Sequence, residues 1–508
     1  MRTGRPPVPT RELLRATGVV AVRGQPPPLV GGIAFDSRRV KPGDLFVALP
    51  GLRTDGARFI PEALARGAVG VVVGAGVPAE APFVVEVPDP RAALADLSAA
   101  FFGHPSRRLQ VVGVTGTDGK TTTCHLIGAL LRAAGYRTAI LTTVYASLGT
   151  EEVFNPFGHT TPEAPDLQAW LAAAAESGHT HAVVEVSSHA LALHRVRGVE
   201  FDGAVFTNLT PEHLEFHRTF EAYRAAKGSL FAGLEPGAKG GRKFGVVNAD
   251  DPNADYFCRV CRAPVIHYGL GRPDLTVWGR VLELRPDGSR FEVGLADGRR
   301  YELATRLPGR FNVYNWLAAI GAVYGLGVDL GFLPDAAPKI GPVPGRLTEV
   351  ALGQPFRVVV DFAHTPAALE AVLSALREQG PNRVGVVVGH AGGRDPNNRP
   401  RLAEAAGRHA DFVVITTDDP YEEDPAEIAA VMASALEALG RRRGRDFEVI
   451  LDRREAIRRA LAWAAPGDLV LVAGRGHEQH IPFGDRRIPF DDAAVVRELL
   501  AAGGYAAG

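Results

Sequence analysis

The stretch Val111-Val-Gly-Val-Thr-Gly-Thr-Asp-Gly-Lys-Thr-Thr-Thr123 constrains this chain more than any other. It reads as an apolar strand, a Gly-rich turn and the start of a helix predicted over 124–134. Backbone N–H groups in such a turn converge on an anion, and the helix N-terminus adds partial positive charge. Gly116 and Gly119 permit the bend, Lys120 can reach phosphate oxygens, and the Thr121 hydroxyl can ligate Mg²⁺. The longer form of the loop would carry a Gly at 114, where Val114 stands, so the form present is Gly-x-x-Gly-Lys-Thr. An ordinary Gly-rich turn is the plain alternative. Gly-Lys-Thr set between an apolar strand and an apolar helix favours ATP binding over it.

Composition narrows the class. With 508 residues the chain has room for two to four domains, and 46% hydrophobic against 22% charged residues lets each bury a core. The net charge of −1 gives no basic excess for nucleic acid or an anionic membrane surface. No apolar run has the length of a membrane span, and Met1-Arg-Thr-Gly-Arg-Pro-Pro7 lacks a signal peptide's apolar core, so a cytoplasmic protein is expected. Cys258 and Cys261 form a Cys-x-x-Cys pair, but Cys124 is the only other cysteine; a four-thiolate zinc site is excluded and two reduced thiols are expected.

Three α/β units follow in order, with boundaries expected at 1–103, 104–342 and 343–508. In the first, strands are predicted over 33–38, 43–49 and 70–74 and a helix over 57–66, with 101–108 as the linker. The second opens on the phosphate loop and alternates strands (138–142, 182–186, 203–206, 244–248) with helices (163–177, 220–231), the pattern of a doubly wound, mostly parallel sheet. Residues 275–307 alternate in hydrophobicity and carry Asp287-Gly288 and Asp297-Gly298, which predicts an antiparallel appendage before a closing helix at 311–324. After Pro342-Val-Pro-Gly345, predicted strands at 357–362, 384–388, 412–416, 447–451 and 469–473 form a further sheet.

Two constellations fall at strand ends, where parallel sheets bind ligands. Glu185 closes an apolar run in Val184-Glu-Val-Ser-Ser-His189; a carboxylate there needs a partner, either a cation from the protein or a Mg²⁺ shared with Thr121 and phosphate. Residues 206–217 carry Glu212, His213, Glu215 and His217 without the His-Glu-x-x-His of a zinc protease, and His213 lies at the same sheet edge. Lys227, on the next helix, reads by itself as a solvated residue.

Together these motifs resemble the Mur ligase family over nearly the whole chain. The resemblance rests on 116–121, on Glu185 to His189, on Thr207 to His217, on Asn312-x-x-Asn315, on Gly345-Arg346 and on Asp361-x-Ala-His-Thr-Pro366. Asp36-Ser-Arg38, Gly43 to Ala48, Thr160-Thr-Pro-Glu163 and Gly474-Arg-Gly-His-Glu478 are similar to its MurE branch, which adds the third residue of the peptidoglycan stem. The resemblance implies a UDP-binding N-terminal domain, a central ATPase domain and a Rossmann-like C-terminal domain that binds an amino acid. It implies ATP as co-substrate, phosphorylation of the D-Glu carboxylate of UDP-MurNAc-L-Ala-D-Glu, and attack on the acyl phosphate by an amine. Only small-molecule partners and a monomer are expected.

Site roles follow from the same resemblance. Gly116, Thr117, Asp118, Gly119, Lys120, Thr121, Thr122, Asn312, Asn315, Arg346, Asp361 and His364 are implied for ATP, with Lys120, His213 and Lys227 catalytic. One Mg²⁺ is implied at Thr121 and Glu185 and a second at His213 and Lys227, the lysine carrying a carbamate. Ser37, Arg38, Thr160, Thr161, Ser187 and Arg195 are implied for the UDP-muramyl dipeptide; His159 and Leu193 depart from the family's usual Asn and Gln. Arg394, Asp418, Asp419, Tyr421, Gly474 and Glu478 are implied for the amino acid.

Branch members that take meso-diaminopimelate carry Asp-Asn-Pro-Arg where this chain has Asp418-Asp-Pro-Tyr421, and the family's Gly-x-Arg-Asp…Lys-Arg-Pro appears as 392–395 and 398–400 with Asn398 in place of the Lys. A distal carboxylate would lack its cation unless Arg475 or another cation substitutes, whereas an acidic pocket suits the ammonium of lysine or ornithine. The alternatives are another amide ligase of the superfamily, a P-loop NTPase without ligase activity, and an inactive homologue.

Overall fold

A computed structural model describes residues 5–51, 55–149 and 152–505. The first four residues of the N-terminal stretch read above for a signal core lie outside them. Three α/β sheets succeed one another along the chain, of five, eleven and six strands.

In the N-terminal sheet, Gly32–Ala34, Asp44–Val47, Gly70–Gly74 and Phe83–Val87 run parallel, and Ala21–Gly24 pairs antiparallel on the edge. The strand predicted over 33–38 stops at Ala34, because the Asp36 side chain accepts from Arg38 N and starts a 3-10 turn, Ser37–Arg39. The predicted helix at 57–66 is divided into a 3-10 turn, Gly56–Phe59, and a short helix, Ile60–Ala65. Asp89 caps helix Pro90–Phe101. That helix packs on Ala164–Glu176 of the central unit, and Ala169 and Ala172 complete its core.

The central sheet places the site. Strand Gln110–Thr115 lies between His181–Glu185 and Gly203–Phe206, all parallel. The phosphate loop therefore leaves the sheet between Glu185 and Thr207, the crevice where ligands bind in open α/β sheets. The helix after the loop is Lys120–Ala133, four residues earlier than the apolar pattern alone placed it. The antiparallel segment is not a separate appendage. Val277–Arg285 pairs parallel with Val265–Leu270, and Gly288–Leu295 and Arg300–Thr305 extend the same sheet antiparallel. A short edge hairpin, Tyr145–Ser147 with Glu152–Phe154, is an unpredicted addition. Helix Arg310–Gly325 is apolar nearly all round because it is covered on all sides: it packs on Lys120–Ala133 and on the sheet beneath.

The C-terminal sheet runs Thr348–Glu349, Arg357–Asp361, Leu469–Ala473, Val384–Val388, Phe412–Ile415, Phe447–Val449, parallel except for the first pair. Apolar clusters on both faces make it doubly wound. An unpredicted hairpin, His480–Phe483 with Arg486–Pro489, stands beside it. Among the described residues no helix is long and apolar enough to cross a membrane.

Trp316 is fully buried at the centre of helix Arg310–Gly325, and its indole N–H donates to Thr305 Oγ1 at 2.9 Å. Trp316→Ala is expected to cost about 3–5 kcal/mol, and Trp316→Phe less. Urea unfolding followed by circular dichroism checks this; an unchanged midpoint for the alanine variant would refute the packing described.

Candidate active site

Close packing shapes the phosphate loop. Gly116 (φ 149°) and Gly119 (φ 81°) occupy backbone conformations that suit glycine, and a Cβ at either would collide with the Thr207 hydroxyl or with Asn315 Oδ1. Asn208 Oδ1 accepts from Asp118 N at 2.9 Å, and the Thr117 hydroxyl meets Tyr223 OH at 3.0 Å. Lys120 Nζ donates to Thr117 O at 2.6 Å, folded over its own loop. Burial and the nearby Glu212 raise the Asp118 carboxyl.

A cavity of about 330 Å³ opens beside the loop, between the central and C-terminal sheets. Asp118, Gly119, Thr122, Asn312, Asn315, Arg346 and Asp361 all line it. Asn315 Nδ2 donates to Asn312 Oδ1, and Asp361 accepts from Leu347 N and Ala363 N. Arg346 stacks over Phe362 and donates to Thr121 Oγ1 at 3.3 Å. His364 is the one residue of the predicted ATP set outside the loop that does not line the cavity. Its Nε2 lies 3.2 Å from Glu212 Oε1, across the junction of the two units. Burial pulls the His364 imidazolium down, but Glu212 more than offsets this and leaves its pKa raised. Glu212, though buried, is held well below the usual carboxylate range by His213 and His364.

Glu185 is buried, and its Oε2 accepts from the Thr121 hydroxyl and from Thr143 N, both at 2.9 Å. A buried carboxylate beside a hydroxyl and a phosphate loop is a hard-oxygen donor set, which fits Mg²⁺. His189, His213 and Glu215 bring ligand atoms within 4.8 Å of one another. His189 was not predicted for the site; its contact with His213 depends on how two strand ends meet. Lys227 corrects the reading of a solvated residue. It is 2% exposed, donates to Gly116 O at 2.6 Å and stands over the Tyr223 ring. Burial, with Lys120 nearby, drives its pKa well below the usual lysine value.

The residues predicted for the muramyl substrate are divided. Thr160 Oγ1 donates to Thr143 Oγ1, and Ser187 caps the turn Ser188–Ala192. Thr161 is fully buried; its hydroxyl donates to Glu185 O and accepts from Ser187 N, so it braces the site from within. Arg195 is ion-paired with Glu163 at 2.9 Å. Ser37 donates to Glu62, and Arg38 pairs with Asp36 at the surface of the N-terminal unit.

A second cavity, about 90 Å³, is lined by His213, Arg394, Asp418, Asp419, Tyr421, Gly474 and Glu478 among others. Arg394 approaches His213 Nδ1 at 3.3 Å and Glu215 at 3.8 Å. Arg475 has no exposure. It is ion-paired to Asp419, lies 3.5 Å from Glu478 and 3.9 Å from Asp418, and donates to His480 O. Asp418 Oδ2 is buried with no partner among the described residues. Burial raises the Glu478 carboxyl, Arg475 opposes, Asp418 adds to the rise, and the result is about 7. Tyr421 (φ 52°) is tied by its backbone to the hairpin at Pro482 and Gly484. Elsewhere, the Cys-x-x-Cys pair is two free thiols, as expected.

The Mur ligase middle domain matches residues 114–323, the Mur ligase glutamate ligase domain 345–476, and the Mur ligase family catalytic domain 29–102. The UDP-N-acetylmuramoyl-L-alanyl-D-glutamate–2,6-diaminopimelate ligase of Syntrophomonas wolfei is 42% identical over 472 residues, 93% of this chain and 94% of its own. The UDP-N-acetylmuramyl-tripeptide synthetase of a Roseiflexus species is 44% identical over 498 residues, 94% of this chain and 96% of its own. A solved structure of a UDP-N-acetylmuramoyl-L-alanyl-D-glutamate–2,6-diaminopimelate ligase superposes with a TM-score of 0.65 at 31% identity, covering 98% of this chain and all of that one. With all three units matched in order and relatives aligned over nearly their whole length, the chain belongs to the Mur ligase family.

Proposed function

We propose that this chain joins a diamino acid whose distal end is an ammonium to the D-Glu carboxylate of UDP-MurNAc-L-Ala-D-Glu. It is an ATP-dependent amide-forming ligase of the MurE type, acting in peptidoglycan synthesis. The observation that carries the choice of acceptor is the charge of the smaller cavity. Asp418, Asp419 and Glu478 line it together with Arg394; Arg475 beside them has no exposure and is already paired, and Asp418 Oδ2 has no hydrogen-bond partner among the described residues. An ammonium satisfies that oxygen; with Arg394 taken by the acceptor's α-carboxylate, a second carboxylate there would find no unpaired arginine. A second reading, meso-diaminopimelate, is favoured by the names of the relatives.

The chemistry fits the geometry. A carboxylate is a poor acyl donor until one oxygen becomes a phosphate leaving group. The γ-phosphoryl group passes from ATP to the D-Glu carboxylate; the acceptor amine then attacks the acyl carbon, and phosphate leaves. Both steps depend on positioning and charge neutralisation. In this reading the loop from Gly116 to Thr122 cradles the phosphates and Lys120 turns from Thr117 O towards them. Asn312, Asn315, Arg346 and Asp361 hold the nucleoside side, with His364 bracing the junction through Glu212. Thr121 and Glu185 would hold one Mg²⁺, and His213 with a carbamate on Lys227 a second, supplying charge neutralisation between phosphate and carboxylate. Burial favours the neutral form of the Lys227 amine, the form that adds to CO₂ with loss of a proton.

Thr160, Ser187 and Arg195 would meet the muramyl peptide, and Ser37 and Arg38 the uridine end. Arg394 would pair with the acceptor's α-carboxylate. We assign residues 1–103, 104–342 and 343–508 to nucleotide-sugar, ATP and acceptor binding.

Phosphate release from ATP is expected only when UDP-MurNAc-L-Ala-D-Glu and L-lysine or L-ornithine are both present. Turnover with meso-diaminopimelate alone would overturn the acceptor assignment and keep the ligase. Lys227→Ala is expected to lower kcat by about 100-fold. A carbamate resonance from ¹³C-bicarbonate, present in the wild type and lost in this variant, checks the modification. Glu478 is neutral below about 7 and charged above it. The KM for an ammonium-ended acceptor should therefore fall as pH rises through 7, and Glu478→Gln should flatten that profile. A KM that rises over the same interval would contradict the acidic pocket.

A further inference from the structure

Two of the loops that line the acceptor pocket follow strands that are not neighbours in the sheet. Residues 417–421 follow strand Phe412–Ile415, and residues 474–478 follow strand Leu469–Ala473. Strand Val384–Val388 lies between these two strands, so no backbone ladder sets one loop against the other. On the pocket side, Arg475 spans from one loop to Asp419 on the other.

On the far side stands Arg453, the first residue of helix Arg453–Trp463, 2% exposed. Its Nε and one terminal nitrogen form a fork onto Asp492 at 2.8 and 2.7 Å, and Asp492 is fully buried at the start of helix Asp492–Ala502. The same guanidinium donates to Thr417 O at 3.2 Å and to Ala473 O at 2.9 Å, the carbonyls immediately before Asp418 and Gly474. Room is short where the loops meet: a Cβ on Gly474 would collide with Asp418 Oδ2. A buried ion pair is weak evidence for stability alone, because its desolvation offsets its attraction. This one directs four N–H bonds of a rigid planar group from one helix onto a second helix, the loop carbonyl of Thr417 and the strand-end carbonyl of Ala473, which a lysine could not reproduce.

We propose that Arg453, locked by Asp492, is a positioning residue that holds the two loops of the acceptor pocket at the spacing the incoming amino acid requires. The proposal rests on the reading of this cavity as the acceptor site. Arg454 supplies the internal control. It ties the same two helices through Glu498 at 2.7 Å, at the surface and away from both loops.

The test compares Arg453→Met with Asp492→Leu as a double variant, Arg453→Lys, Arg454→Met and the wild type. Steady-state kinetics are measured against each substrate, with amide hydrogen exchange of the whole protein alongside. The double variant replaces a buried pair by apolar groups, the exchange that folds tolerate best. Its KM for the acceptor should rise at least about tenfold, the scale of one lost charge-assisted hydrogen bond. KM for ATP and for the muramyl dipeptide, and kcat at saturating acceptor, should stay within about twofold. Exchange should rise together in 417–421 and 474–478 and not in 116–122. Arg453→Lys should fall between, and Arg454→Met should match the wild type.

An unchanged acceptor KM in a folded variant, or an equal rise in Arg454→Met, would overturn the proposal. If the double variant does not fold, Arg453→Lys decides by the same criteria. If the wild type itself ligates nothing, the functional reading fails, and the exchange data still decide whether Arg453 holds the loops.

Discussion

Gly119 lacks a side chain because Asn315 Oδ1 occupies the place one would fill, and Gly116 lacks one because the Thr207 hydroxyl does. This double close approach is the constraint from which the rest of the molecule follows. It fixes the phosphate loop between the ends of two strands and against helix Arg310–Gly325. That helix can lie there only because the antiparallel extension of the central sheet covers its other side, which explains why it is apolar all round. Asn312 and Asn315 then line the larger cavity from a helix packed into the core.

Charge is the second organising quantity. Carboxylates crowd the site, and each is managed differently. Glu185 accepts from a hydroxyl and an amide, Glu212 is ion-paired across the unit junction with His364, Asp361 accepts two backbone N–H groups, and Asp419 meets Arg475. Each of these carboxylates is met by a hydrogen-bond donor or a cation. Asp418 is the exception: its Oδ2 has no hydrogen-bond partner among the described residues, and it lines the smaller cavity beside Glu478, whose carboxyl is raised to about 7 chiefly by desolvation.

The sequence was legible where the signal is local. The phosphate loop, the parallel strands around it and the closing helix follow from spacing and apolar periodicity within a few residues. The strand at 33–38 was misjudged because Asp36 captures a backbone N–H and turns the chain, a competition that hydrophobic alternation does not register. The hairpin after His480 was invisible because Pro482, Gly484 and Pro489 are punctuation elsewhere, and here Gly484 turns an exposed two-strand ribbon that prolines can edge. Lys227 resembled a solvated residue because burial is a property of what packs on a helix. Its carbonyl partner lies 111 residues away. Arg453 was hidden for the same reason, among the basic residues of 441–459, with its carboxylate partner 39 residues on.

These distant pairs explain how the three units work as one. The Glu212–His364 pair and the Arg346–Thr121 bond cross from the central sheet to the C-terminal one, with Arg394 meeting His213 beside them. Each of the three bridges includes a residue that lines one of the two cavities, so the side chains that hold the junction are also cavity walls. By contrast Arg475, beside the smaller cavity, has no exposure and is already paired to Asp419 within its own unit.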